Sequence, residues 1–444
     1  MIDLSSKNAW KRPFKNAKKL LFGRSIQAVL SVAYLAMATR ALGVENFGVF
    51  TLIISTVGLV GTLASFQPAQ FILRYGARAI TNKNPAHLKK IIRFGIKLEL
   101  LAALVAVLAV WLLTEPLVAL FSIAPQYAHM MELYALILPL TLLSGLAMGS
   151  LQLTDRHDLI SWQLTADPTI KFIGAGLLFI YGGGVAEFLA VWAFSRAIGA
   201  VVMGIMAWRN MKTPLRTLRQ EVAAGAETAP ITKGRYGAPE AGAWNFLWGT
   251  YFNGSLGVDL VPMLVATVLG PEGAGLIRIA QRIAAFIIQP IQKLLAPAVM
   301  TDMTWLNAQG NNKNRRKMVI KAGAIAGGVT MAGALVLIIF GKQVIGLIAG
   351  EEFVPAYGAM VFITLAMTLG AFYFTVPPLL ITGGKVWSVA ICQFGQLILF
   401  ALYLPLIVTY VGVTGAGIAF LFHHMIGATF LTFLAWPLLR KKHL

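Results

Sequence analysis

Twelve apolar runs of about 20 residues recur along this 444-residue chain, at roughly 20–39, 47–68, 92–113, 129–152, 159–181, 187–207, 244–268, 275–299, 319–340, 357–381, 386–410 and 414–438. A run of that length, wound as a helix, matches the hydrocarbon thickness of a bilayer. A helix also satisfies its own backbone polar groups where water cannot. The runs lack the short alternating pattern of a membrane barrel. The expected fold is therefore an all-α polytopic membrane protein with twelve transmembrane helices and no large soluble domain. Composition agrees, with 58% hydrophobic and 12% charged residues and a mean hydropathy of +0.74.

The runs fall into two sets of six, and one short motif ties the sets together. Leu42-Gly43-Val44-Glu45-Asn46-Phe47-Gly48 lies between the first and second runs. Leu269-Gly270-Pro271-Glu272-Gly273-Ala274-Gly275 lies between the seventh and eighth, 227 positions later. The chain thus reads as an internal duplication into two six-helix bundles. Six crossings return each half to its starting side, so the halves share one orientation and are expected to flank a cavity. The expected organisation is a basic interfacial segment 1–19, an N-terminal bundle 20–207, an amphipathic and flexible linker 208–243, a C-terminal bundle 244–438 and a basic tail 439–444. Within the linker, Met211, Leu215, Leu218 and Val222 mark one apolar helical face among Arg209, Lys212, Arg216 and Arg219. Residues 225–242 read as a tether.

The net charge of +20 could suggest nucleic acid, but its distribution argues otherwise. Of 37 Lys and Arg, 27 fall in tails and loops on one side, two (Arg40 and Lys342) on the other, and eight in or at the ends of runs. This positive-inside asymmetry places both termini in the cytoplasm of a multi-pass protein. It makes membrane lipid, not nucleic acid, the expected partner of the basic tails. The lone Cys392 sits in an apolar run and reads as a core residue. No Walker A, Gly-x-Ser-x-Gly or His-Glu-x-x-His motif occurs, so the chain is expected to need no cofactor or metal and not to be an enzyme.

Ionisable side chains inside the runs are the most informative, because an Arg at the bilayer centre costs about 2.5–3.5 kcal/mol and should face protein or water. Arg278, Arg282, Gln289 and Lys293 share an arc of about 60° on the eighth run. Thr51, Ser55 and Thr62 occupy matching positions on the second. Arg24, Gln27, Ser31 and Tyr34 form one face of the first. Asp259 lies in the seventh, a candidate partner for Arg278 or Arg282. The surplus of cations favours an anionic ligand, and two guanidiniums one turn apart suit a diphosphate. Candidate substrate-binding residues are Arg24, Ser31, Asp259, Arg278, Arg282, Gln289 and Lys293, with Trp248 and Tyr251 as surfaces for sugars. Lys171 reads as an intrahelical partner of Asp167. Arg196 and Glu187 read as marks of span ends, and His423 and His424 as packed residues rather than a proton relay.

The segment from Arg40 through Gly48 to Phe50, and that from Asp259 through Gly275 to Arg282-Ile283, resemble the polysaccharide (O-antigen, Wzx-type) flippases of the multidrug/oligosaccharidyl-lipid/polysaccharide (MOP) exporter superfamily. The likeness extends over nearly the whole chain. It implies two bundles in a V around a central cavity and outward flipping of undecaprenyl-diphosphate-linked oligosaccharide in a bacterial inner membrane. It also implies an acidic role for Asp259, a basic role for Arg282, and other polysaccharide-assembly membrane proteins as partners. Ile277 stands where the family commonly shows Tyr. Two alternatives stay open: a cation-coupled multidrug extruder of the same superfamily, and a membrane glycan polymerase or glycosyltransferase.

Overall fold

The computed structural model describes residues 11–66, 68–225, 234, 238–251, 257–308, 312–382 and 385–440. Among the described residues fifteen α-helices succeed one another: α1 Lys11–Ala64, α2 Pro68–Phe71, α3 Ala77–Thr81, α4 Pro85–Leu120, α5 Ala128–Ala135, α6 Leu138–Leu153, α7 His157–Tyr181, α8 Val185–Ala223, α9 Ala243–Tyr251, α10 Gly257–Ala308, α11 Asn312–Ile348, α12 Tyr357–Tyr373, α13 Val376–Thr382, α14 Val386–Val411 and α15 Val413–Arg440. No strand occurs among the described residues. Ten helical stretches are long and apolar enough to cross a membrane among the described residues. Two of them contain a sharp bend, at Gly43 in α1 and at Gly270 in α10. Each bend separates two arms where the sequence places a turn between paired spans. Outward-facing apolar side chains such as Leu112, Tyr410 and Phe433 are exposed, as lipid-facing residues should be.

The bends show why glycine stands there. Gly43 has φ 69° and ψ 179°, and Gly270 has φ 64° and ψ −163°. Only glycine adopts that region without strain. The two copies of the motif thus bend the chain identically, and each Glu of the motif, Glu45 and Glu272, sits exposed in the first turn of the following arm. There a negative charge complements the helix dipole.

The chain divides into two compact units: residues 1–41, 53–119 and 124–256, and residues 42–52, 120–123 and 257–444. In the first, Phe71, Tyr75, Ile91, Leu146, Met211 and Leu247 belong to one buried cluster. The amphipathic segment of the linker continues α8 without a break, burying Met211 and Leu218 and exposing Arg209, Arg216 and Arg219. The described end of the expected tether is anchored: Ala238 joins the core, and the buried Glu240 pairs with Arg78 and lies 3.6 Å from His87. Residues 226–233 and 235–237 of the tether, and most of the segment 1–19 and tail 439–444, lie outside the described residues or side chains.

In the second unit, the two motif copies touch. A Cβ on Gly48 would lie 1.8 Å from the Pro271 carbonyl oxygen, and one on Gly275 would lie 2.8 Å from the Val44 carbonyl oxygen. Pro271 and Val44 are themselves equivalent under the 227-residue offset, so the contact is reciprocal and fixes the register of the duplication. Phe47 completes it, edge-on to Phe353 at 5.8 Å.

Candidate functional site

In the second unit the bend at Gly270 folds the first arm of α10 back along the second. Asp259 and Arg278 are thereby brought together although they are 19 residues apart, and the guanidinium donates to the carboxylate at 3.1 Å. Arg278 is buried, with 9% of its side chain exposed, whereas Asp259 keeps 34%. One turn further, Arg282 is exposed and makes no ion pair among the described residues. The acid therefore neutralises one guanidinium and leaves the other free. Of the two partners left open for Asp259, the structure chooses Arg278.

The polar stripe expected along the second and eighth runs divides along its length. Thr51, Ser55 and Arg278 are buried in protein, not lining an open surface. Exposure begins at Arg282. The side chains of Arg24, Gln289, Lys293 and Tyr251 lie outside the described residues. Ser31 is half-buried on α1. Trp248 is exposed and makes a T-shaped contact with Phe66 at 5.2 Å. His423 stacks near Phe400 and His424 bonds the Phe420 carbonyl at 3.1 Å, as packed histidines do. No group of three or more His, Cys, Asp or Glu that could hold a metal ion occurs among the described residues.

The first unit holds a second charged centre. Lys171 Nζ lies 2.7 Å from Asp167 Oδ2, the intrahelical pair expected from their spacing, and Ser195 of α8 donates to Asp167 Oδ1 at 2.8 Å. Lys171 is buried and sits 5.8 Å from the Trp192 ring, which Tyr34 meets edge-on at 5.1 Å. Arg196 does not mark a span end. It is the twelfth residue of the 39-residue α8, three turns in from its start, and it lines a cavity with Gln27, Thr141, Ser144, Gln163 and Asp167. The face of the first run that carries Gln27 and Tyr34 thus does meet polar and aromatic neighbours.

Sequence reasoning overlooked Glu99, which is fully buried on α4. Its carboxylate accepts from Ser65 Oγ and the Phe66 backbone N–H, both at 3.3 Å, where α1 has ended and its backbone needs partners. An acid inside an apolar run was the available signal.

Comparison with known proteins bears on this arrangement. Residues 14–228 match a family model described as polysaccharide biosynthesis protein. The inner membrane protein YghQ of Escherichia coli (strain K12) is 27% identical over 360 residues, covering 79% of this chain and 96% of the relative. An inward-facing multidrug resistance MATE family transporter of the MOP superfamily superposes with a TM-score of 0.69 at 13% identity, over 94% of this chain and 96% of that one. By sequence, the N-terminal half of the chain resembles polysaccharide biosynthesis proteins, and by fold the chain is similar to these transporters. The lipid II flippase MurJ, in an inward closed conformation, also shares the fold, with a TM-score of 0.61 at 15% identity over 96% of this chain and 86% of that one. The likeness to these solved structures is one of fold, an all-helical chain with ten stretches among the described residues long and apolar enough to cross a membrane.

Proposed function

We propose that this transporter moves an anionic, undecaprenyl-diphosphate-linked oligosaccharide from the inner to the outer leaflet of a bacterial inner membrane by alternating access. The observation that carries the reading is the free, exposed Arg282 one turn beyond the neutralised Asp259–Arg278 pair. A fixed guanidinium on a membrane-spanning arm suits a diphosphate, to which it can donate in parallel. The polysaccharide biosynthesis match and the inner-membrane relative support the substrate class and the location. The prenyl chain would stay in lipid while the head group crosses. The membrane potential would help, since each negative charge leaving an inside-negative cell gains about 2.3 kcal/mol per 100 mV if no counter-ion accompanies it.

A cation-coupled drug extruder of the same fold would need acids presented to cationic drugs. Asp259 and Asp167 are each paired with a cation, and Glu99 is buried against backbone. That balance favours an anionic cargo. The test is to replace Arg282 by Ala and count lipid-linked repeat units in each leaflet at matched protein level. Outward transfer is expected to fall about tenfold or more, as for a charge-assisted hydrogen bond worth about 1.5–3 kcal/mol. Unchanged transfer would remove Arg282 from the mechanism.

A further inference from the structure

The cavity inside the first unit has a volume of about 250 Å³ and draws polar groups from four helices: Gln27 of α1, Thr141 and Ser144 of α6, Gln163 and Asp167 of α7, and Arg196 of α8. At about 30 Å³ per water it holds the volume of roughly eight waters, the scale of one monosaccharide.

Its chemistry is mixed in a specific way. Asp167 is already offset by Lys171, so Arg196 leaves one positive charge in surplus. Arg196 is exposed to the cavity and has no ion pair among the described residues. The carboxamides of Gln27 and Gln163 each offer a donor and an acceptor. Thr141 and Ser144 spend their hydroxyl protons on their own helix, on the Leu138 and Thr141 carbonyls at 3.0 and 2.6 Å, and so present lone pairs inward. A ligand matching this set has several hydroxyl donors and acceptors and one negative charge. A drug-like apolar cation has neither feature. Water alone would fill the space, but Asp167 is the one acid lining the cavity and already faces Lys171 as well as Arg196, so one positive charge stays unmatched inside a membrane-spanning helix, where such a charge is costly.

We propose that this cavity is a subsite for a single acidic sugar of the glycan, of the uronic-acid type, with Arg196 pairing its carboxylate and Gln27, Gln163 and Asp167 taking its hydroxyls. The proposal rests on the glycan reading above and adds to it a composition: the transported unit carries a carboxylate sugar.

The test is saturation-transfer NMR on the full-length protein in nanodiscs, with glucuronate, glucose and inorganic phosphate as separate probes. Glucuronate should receive transfer from the wild type, with glucose weaker by about tenfold, the effect of one lost charged hydrogen bond. R196A should abolish the glucuronate signal, Q163A should reduce it, and Arg282→Ala should leave it intact. Arg196→Lys serves as a second variant should R196A fail to fold, and it should retain part of the signal. No transfer to glucuronate in the wild type, or equal transfer in wild type and R196A, overturns the proposal. So does phosphate displacing glucuronate at equal concentration, which would make the cavity a simple anion hole. Because the probes are free sugars, each of these failures leaves the Arg282 leaflet assay standing.

Discussion

Each compact unit contains a set made of an acid, a buried cation and an exposed arginine, but the two assemble the set differently. In the first, Asp167 and Lys171 are four residues apart on α7, so helical periodicity alone brings them together at 2.7 Å. In the second, Asp259 and Arg278 come from different arms of α10 and meet at 3.1 Å only because Gly270 bends the chain. Arg196 and Arg282 are left exposed and unneutralised in their respective units. The difference teaches that the first pair is built into one helix, whereas the second depends on backbone geometry and is open to disruption from the hinge.

Four substitutions can break or sharpen this contrast. The largest effect is expected for Lys171→Met, which leaves Asp167 without its buried partner and should cost about 3–5 kcal/mol of stability. Thermal unfolding in detergent reads the loss, and adding Asp167→Asn should recover most of it. Gly270→Ala forces a side chain into a glycine-only conformation and should cost about 1–3 kcal/mol. It should also uncouple Asp259 from Arg278 while leaving the Asp167–Lys171 pair unaffected, so a double-mutant cycle with Arg278 should show coupling and one with Lys171 should not. Arg278→Met should cost about 1–2 kcal/mol, less than the loss of Lys171, because Asp259 stays 34% exposed to solvating groups. Arg282→Ala should fall within about 0.5 kcal/mol of the wild type, since it breaks no pair, and should act on transport alone.

Much of this was legible in the sequence, and the reasons are particular. The spans were visible because hydropathy and length decide membrane helices almost without tertiary context. The motif revealed the duplication, and its glycines now have individual duties: Gly43 and Gly270 supply the bend, while Gly48 and Gly275 permit the backbone approach of one copy to the other. The Asp167–Lys171 pair followed from i,i+4 spacing. What escaped was whatever depends on which helix covers a given face. Helical periodicity placed Arg278 and Arg282 on one stripe, yet one is buried and the other exposed. Arg196 read as a span end because nothing in its own run tells that α6 and α7 bring hydroxyls and an amide to meet it. Glu99 was hidden among apolar neighbours, and its partner is a helix end 33 residues earlier in the chain.

The central claim, transport of a lipid-linked glycan, is tested most directly in proteoliposomes holding the purified protein and undecaprenyl-diphosphate-linked oligosaccharide loaded in the inner leaflet. A glycan-cleaving enzyme added outside reads the exposed fraction over time. The account expects exposure to rise above that of protein-free vesicles, and to fall back towards it with Arg282→Ala. Exposure equal to that of protein-free vesicles, in preparations that instead move a cationic dye, would contradict it.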